Sequence, residues 1–229
     1  MPIDMDNEKQ ALESLRKKYD IPFTDDDLGC DIPLQPWRCN RKYVELEKMV
    51  SSRTLEDPCL LRFCHLSHAS TALEALLYRE FDLAEFISGR KITAVHAVFT
   101  EGRSGSVIIR LEGGIIGSVE VGNLLPDAEK EVDRHEIIAR RGVGSDIVVD
   151  TQIPQQSIYL MTEGGSDSFK DTDSELFGLD EHQIERVRAK FAFLKDRSST
   201  EEHRKQDGHI RAAVRAALES NETHKKIVL

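Results

Sequence analysis

Four polar side chains of one predicted helix could take part in chemistry: Glu74, Tyr78, Arg79 and Asp82. Arg79 and Asp82 stand at positions i and i+3, a spacing typical of a solvated ion pair on a helix surface. The alternative is an anion clamp, because a guanidinium group matches a carboxylate or a phosphate with two hydrogen bonds. Glu74 follows Thr71 at the spacing of a helix-capping box, which explains it without chemistry. A role as a base is the alternative interpretation of Glu74 and Tyr78.

Two histidines precede this helix, His65 and His68 in the string FCHLSHAS. We expect them where a strand ends, a place from which they could face a pocket and bind substrate. Their spacing does not make a metal site without a third ligand, so no metal is predicted. Further along the chain, His96, Arg110 and Glu120 alternate on strands that would share one sheet face, which favours packing or an interface over catalysis.

Apolar spacing predicts the helix that carries these polar residues. Gly89 is expected to end the helix in the left-handed conformation, and the chain from Lys91 to Phe99 then alternates with the period of a strand. The apolar positions that recur with helical period are Leu73, Leu76, Leu77, Phe81, Ala84 and Ile87.

The rest of the pattern predicts an α+β fold: an antiparallel or mixed open β-sheet with helices packed on one face. A helix is predicted from Lys42 to Ser51, a second begins with an Asp180/Gln183 capping box, and a third runs from His209 to Ser220. The GVG at residues 142–144 is predicted to be a turn. Strands are predicted within 55–66, at 92–99, 106–111, 115–121, 135–141 and 157–162, and at the edge position 227–229.

The first residues read as a separate segment. A very short strand is predicted at residues 2–5 and a helix at residues 8–19, followed by the acidic, proline-punctuated stretch 24–36. We place a domain boundary after residue 36, so that 1–36 is a truncated Rossmann-like remnant with its linker and 37–229 is the α+β domain.

Composition excludes several classes of protein. The 229 residues carry a formal charge of −10, which argues against nucleic acid as a partner. Since the sequence contains neither a membrane-length apolar run nor a signal-peptide pattern, we expect a cytoplasmic protein without membrane contact. The four cysteines have no C-x-x-C spacing, so reduced thiols are expected.

Four strings resemble the Gfo/Idh/MocA family, the glucose–fructose oxidoreductase and inositol dehydrogenase type: CNRKYVELEKMV, LLYREFDLAEFISG, GGIIGSVEVGNLL and RAAVRAALESNETHKKIVL. Together they resemble the family's C-terminal substrate and dimerisation domain and span most of residues 37–229. The string PIDMDNEKQALESLRKKYDIPF resembles the second strand and helix of its dinucleotide-binding domain, with Asp4 at the ribose position. The sequence has no G-x-G-x-x-G loop, so that domain is expected to be truncated.

The resemblance implies oxidation of a sugar or cyclitol hydroxyl, with an E-K-P lysine and an Asp/His pair assisting proton transfer. This chain departs from that pattern: E-K-P is missing, Ala75 stands where the Asp is expected, and Arg79 stands where the His is expected. Arginine cannot act as a base near neutral pH. Asp82 matches the trailing acid of the motif. The residues expected to act at the site are Glu74, Tyr78, Arg79 and Asp82 for catalysis and Arg41, His65 and His68 for substrate binding.

Three functions follow from these observations. The first is a diverged sugar- or cyclitol-binding or assembly protein that needs no cofactor in this chain alone. The second is an NAD(P)-dependent sugar or cyclitol dehydrogenase whose dinucleotide-binding half is truncated or supplied by another chain. The third is a non-redox lyase or isomerase that uses Glu74, Tyr78 or His68 as its base. In each case the family likeness implies a homodimer or higher oligomer formed through the sheet face.

Overall fold

The computed structural model describes residues 5–22, 32–146, 157–162, 165–170 and 179–229. Asp4 lies outside these ranges, as does most of the strand predicted at residues 2–5, while Met5 already belongs to a helix. The chain divides into two compact units, Met1–Arg41 with Asp171–Gly208 and Lys42–Lys170 with His209–Leu229. The first unit combines two segments that are distant in sequence. A single boundary after residue 36 would separate these segments, and that boundary stays a prediction.

The described residues form five α-helices and nine strands, numbered in chain order. The helices are α1 (Met5–Tyr19), α2 (Arg41–Ser51), α3 (Leu73–Ser88), α4 (Glu181–Lys195) and α5 (Thr200–Thr223). The strands are β1 (Pro58–His68), β2 (Ile92–Thr100), β3 (Ser104–Leu111), β4 (Ile116–Leu125), β5 (Val132–Ala139), β6 (Gly142–Ser145), β7 (Ser157–Thr162), β8 (Gly165–Lys170) and β9 (Ile227–Val228).

The nine strands form one open sheet in the order β8-β7-β6-β5-β1-β4-β3-β2-β9. Strands β1 and β4 are parallel, and the other described pairs are antiparallel, which confirms the predicted mixed sheet. Strand β6 corrects one prediction: the GVG at 142–144 is not a turn, because these residues pair with β5 on one side and β7 on the other.

The two faces of the sheet differ in exposure. On β2, the side chains of Val95 and Ala97 are buried, whereas those of His96 and Val98 are exposed. Helix α3 packs against β1 and β4 on the buried face. Arg110 and Glu120, which were predicted to share a sheet face with His96, are also exposed. The predicted packing of helices on one face of the sheet is confirmed.

Helix α3 ends as predicted but does not begin as predicted. Gly89 has φ 63° and ψ 24°, and its N–H donates to the carbonyl of Glu85, as expected for a left-handed stop. The Thr71/Glu74 capping box is wrong, because the N-cap residue is Ala72 and no side chain caps this end. The hydroxyl of Thr71 instead lies 3.0 Å from the hydroxyl of Ser67.

The first unit has its own apolar core, formed between α1 and α4. Leu12 of α1 packs with Leu179 and Ile184, and Leu194 lies in the same cluster. The predicted Asp180/Gln183 capping box is present: the Asp180 carboxylate accepts from the Gln183 N–H, and the Gln183 side chain accepts from the Asp180 N–H. Within the described ranges, no helix is both long and apolar enough to cross a membrane.

Candidate functional site

A cluster of charged and polar side chains lies on the buried face of the second unit, which we call the Arg79 network. Its position follows from strand register. Strand β5 pairs antiparallel with β1, so that His135 faces Phe63 and Asp133 faces His65. Because side chains alternate along a strand, Asp133 and His135 point to the same side of the sheet, the side that α3 covers. The members of the network are Lys42, Tyr43, His65, Arg79, Glu80, Asp133, His135 and Asp146.

Arg79 is the central cation of this network. Its Nη1 and Nη2 donate to the two carboxylate oxygens of Asp133, both at 3.0 Å. Nη1 also donates to Oε1 of Glu80 at 2.6 Å, and Nη2 donates to the Tyr43 hydroxyl at 2.5 Å. The predicted two-pronged carboxylate match is therefore made, but with a carboxylate of the same chain. Asp82 is fully buried, so the predicted solvated Arg79–Asp82 pair is wrong.

His135 joins the carboxylates on the inner side of the network. Its Nε2 lies 2.9 Å from Oε2 of Glu80, and its Nδ1 lies 2.9 Å from Oδ2 of Asp146. The His135 N–H also donates to Asp146. The imidazole meets the rings of Tyr43 and Phe63 edge-on, at centroid distances of 4.8 and 4.7 Å. Fully buried His135 is thus fixed by two acids and two aromatic rings.

A lysine supplies a second permanent positive charge. Nζ of Lys42, near the start of α2, donates to Oδ2 of Asp133 at 2.8 Å and lies 3.5 Å from Oδ2 of Asp146. The Tyr43 hydroxyl donates to the same Asp133 oxygen at 2.7 Å. Buried charges are tolerated only when they are paired and hydrogen-bonded, and this arrangement meets that condition.

The pKa values show how strongly these groups stabilise one another's charged forms. Burial alone would raise the pKa of Glu80, but His135 and Arg79 hold it far below its usual range. Burial likewise opposes the ionised form of Asp133, whose pKa is nevertheless held well below its usual range by Arg79 and Lys42. The pKa of His135 rises to about 9 despite burial, because Glu80, Asp133 and Asp146 surround it with negative charge.

The network reaches solvent at one rim. The side chains of Asp133 and Glu131 are 24% and 34% exposed, and that of His68 is 24% exposed. Oε2 of Glu131 lies 3.7 Å from Nε2 of His65, and its Oε1 lies 3.5 Å from Nδ1 of His68 and accepts from the Ser67 hydroxyl. Hydrogen bonds to Glu131 and Glu80 raise the pKa of His65 against the lowering effect of its burial. We call His65, His68, Glu131 and Asp133 the rim.

The structure gathers only some of the predicted site residues. Arg79 and His65 belong to the network, and His68 lies at the rim, where its Nε2 is 2.8 Å from the carbonyl oxygen of Glu129. Glu74 is exposed outside the network, and Tyr78 packs its ring under the guanidinium of Arg211, 5.5 Å from the ring centroid. Predicted residue Arg41 is exposed and belongs to the first unit, while predicted residue Asp4 lies outside the described residues.

Several network members were missed by sequence reasoning. Asp133 and His135 form an acid-x-histidine pair that would share a strand face, but the predicted strand began at residue 135 because the residues before it are polar. Glu80 is adjacent to Arg79, a spacing that does not indicate contact on a helix. Lys42, Tyr43 and Asp146 carry no local signal, since their partners are distant in sequence.

Three network residues could together ligate a metal ion. His65, Glu80 and Asp133 each offer a ligand atom, and these atoms lie within 4.8 Å of one another. Imidazole nitrogen and carboxylate oxygen are both ligands of divalent transition metals. In the described part of the chain, this is the cluster that meets that geometric condition.

Comparison with solved structures places the fold. No protein-family model and no curated protein matches the sequence. A putative oxidoreductase from Thermotoga maritima is similar with a TM-score of 0.63 at 14% identity, over 83% of this chain and 61% of that one. Levoglucosan dehydrogenase in complex with NADH and levoglucosan gives a TM-score of 0.66 at 13% identity, over 85% and 64% of the two chains.

An inositol dehydrogenase homolog from Azotobacter vinelandii, complexed with NADH and myo-inositol, gives a TM-score of 0.64 at 10% identity over 85% of this chain and 63% of that one. This chain therefore spans less than two thirds of the length of these structures. At such identities the likeness concerns the fold. The predicted resemblance to Gfo/Idh/MocA-type oxidoreductases is confirmed at that level.

Proposed function

We propose that this chain is a sugar- or cyclitol-binding or assembly protein built on a Gfo/Idh/MocA-type fold, in which α3 no longer moves a proton during hydride transfer. One observation carries the proposal. Arg79, which stands where the resemblance implies a histidine, is held by Asp133, Glu80 and Tyr43. Burial opposes its charge, yet Asp133 and its other neighbours raise the guanidinium pKa well above its usual value, so it cannot accept a proton.

The rim supplies the chemistry for a polyhydroxyl ligand. The carboxylate of Glu131 can accept hydrogen bonds from hydroxyl groups, and Nδ1 of His68, 3.5 Å from that carboxylate, can donate or accept. Both terminal nitrogens of the Arg79 guanidinium already donate to Asp133, which disfavours a carboxylate or phosphate as the ligand. Similar structures contain levoglucosan and myo-inositol. These points support a neutral sugar or cyclitol bound at the rim.

Isothermal titration calorimetry tests this proposal. We expect levoglucosan or myo-inositol to bind and the variant Glu131→Gln to weaken that binding at least tenfold. Glu120→Gln is the matched control, because it removes an exposed carboxylate from the opposite sheet face. We expect no heat from NADH or NADPH. Micromolar binding of either dinucleotide to this chain would overturn the proposal.

The alternative is an NAD(P)-dependent sugar or cyclitol dehydrogenase whose dinucleotide-binding half is truncated here or supplied by another chain. It is favoured by the NADH present in two of the similar structures. NAD(P) would then be its cofactor. A neighbouring reading frame that restores the glycine loop and the E-K-P motif, together with NADH formation by the two chains mixed, would establish it. A non-redox base at Glu74 or Tyr78 has no support from the network, since neither belongs to it.

We further propose a cytoplasmic homodimer or higher oligomer formed through the uncovered sheet face. Three large apolar side chains are exposed there: Val98 at 59%, Ile108 at 46% and Ile116 at 42%. An apolar patch of this kind is disfavoured in water unless another surface covers it. Light scattering after size exclusion should give at least twice the 25.9 kDa chain mass. Ile108→Asp should restore the monomer, and a monomeric wild type would refute this part.

A further inference from the structure

Arg79 occupies the centre of a ligand set. Its Nη1 lies 2.6 Å from Oε1 of Glu80, 3.0 Å from Oδ1 of Asp133 and 3.1 Å from Nδ1 of His65. These three residues are also the group whose ligand atoms fall within 4.8 Å of one another. A single nitrogen therefore contacts an atom of every member of the candidate metal cluster.

The remaining atom of each ligand residue faces a different partner. Oε2 of Glu80 lies 2.9 Å from Nε2 of His135. Oδ2 of Asp133 accepts from Lys42 and from the Tyr43 hydroxyl, in addition to Nη2 of Arg79. Nε2 of His65 faces Glu131 at 3.7 Å. Metal sites are built in the same way, because outer partners orient each ligand so that one atom of it points at the ion.

Charge supports the same interpretation. Glu80 and Asp133 together contribute two negative charges to the centre, and His65 would contribute none as a metal ligand, because imidazole binds a metal in its neutral form. A divalent transition metal would balance this set and would accept its mixture of one nitrogen and two oxygens. Arg79 brings one positive charge to the centre, while on the outer side Lys42 and His135 carry two positive charges and Asp146 carries one negative charge. The charged groups that face the centre or its ligands are Lys42, Arg79, Glu131, His135 and Asp146.

We propose that Arg79 is the resident cation of a divalent-metal site formed by His65, Glu80 and Asp133, and that the site takes Zn²⁺ or Co²⁺ once the guanidinium is removed. The inference depends on the geometry of the network and is independent of polyol binding. It assigns Arg79 the structural task that an ion would perform, which is to hold three ligands from β1, α3 and β5 around one point. In the wild type, the guanidinium excludes the metal.

The test is metal binding by the tag-free full chain carrying Arg79→Ala. We expect Zn²⁺, measured by calorimetry, to bind this variant at least 100-fold more tightly than the wild type. Co²⁺ should give visible absorption bands, since its d–d transitions report ligation by the protein. Adding His65→Ala to Arg79→Ala should weaken Zn²⁺ at least tenfold. Arg90→Ala removes an exposed arginine just beyond the same helix and should leave metal binding at the wild-type level.

Folding of the variants is followed by circular dichroism with and without Zn²⁺. If Arg79→Ala folds only when Zn²⁺ is present, the metal replaces the guanidinium and the proposal is supported. Arg79→Met, which keeps an apolar stem of similar length, provides a second vacant site and should bind Zn²⁺ as well. The proposal is overturned if the folded variants bind no more tightly than the wild type, if His65→Ala leaves the affinity unchanged, or if Zn²⁺ restores neither variant.

Discussion

His135 should make the stability of the second unit depend on pH. Its pKa rises from 6.5 to about 9 in the folded protein, because Glu80, Asp133 and Asp146 outweigh the effect of burial. A group whose pKa is raised by folding stabilises the protein fully below its unfolded pKa. That contribution is lost as the pH rises through the folded pKa. We therefore expect the free energy of unfolding to fall between pH 6.5 and pH 9.

The size of the effect follows from the same values. Each pKa unit corresponds to 1.36 kcal/mol, so the rise of the His135 pKa is worth about 3 kcal/mol in the unfolding free energy. The raised pKa of His65 adds a contribution of the same sign. In His135→Gln, the fall in the free energy of unfolding between pH 6.5 and pH 9 should therefore be no more than half that of the wild type. His96→Gln, which removes an exposed histidine, should show the full fall.

Two measurements check this reasoning. An NMR titration of the imidazole protons, with His135→Gln used for assignment, should show one histidine that titrates near pH 9. Urea denaturation across the same pH range, followed by far-UV circular dichroism, should give the difference in stability between wild type and variant. An imidazole that titrates below pH 7, or a wild-type stability that rises towards pH 9, would refute the account.

Substitutions at four positions test other interactions by urea denaturation. Glu80→Gln should cost about 3 kcal/mol because it leaves Arg79 and His135 without their shared carboxylate, whereas His65→Gln at the rim should cost less than half as much. Gly89→Ala should cost about 1 kcal/mol, since φ is +63° and nothing beyond the neighbouring residues of the chain lies within 4 Å of the added carbon, so that backbone strain is the main effect. Asp180→Ala should cost about 1 kcal/mol by removing a helix cap, and Asp180→Asn should restore most of it.

Local signals explain which parts of the fold could be predicted. Gly89 and the Asp180/Gln183 box act through residues within one turn of a helix, so the sequence contains all the information that they need. The Thr71/Glu74 box has the same pattern but fails, because the Thr71 hydroxyl finds Ser67 and the helix begins at Leu73. A contact with a residue only four positions earlier in the chain therefore replaced the predicted cap.

The parallel pairing of β1 with β4 is different in kind. Its register, with Phe63 opposite Val119, joins strands that are separated in sequence by α3, β2 and β3. No periodicity within either strand records which neighbour it will have. Alternation does predict that His65 and Phe63 share a face, but only the register with β5 brings Asp133 and His135 opposite them.

Glu80 shows why the site could not be read from the central helix alone. It follows Arg79 directly, yet its two oxygens connect Arg79 to His135, one on each side of a fully buried carboxylate. Arg79 and His135 each stabilise the ionised form of Glu80, whose contacts cannot be predicted from the pattern of the helix alone. A charged stripe on a helix is therefore a solvated surface or a buried network according to the polarity of the strand that faces it. In this protein the decisive residues are Asp133 and His135: Asp133 accepts from both terminal nitrogens of Arg79, and His135 binds the second oxygen of Glu80.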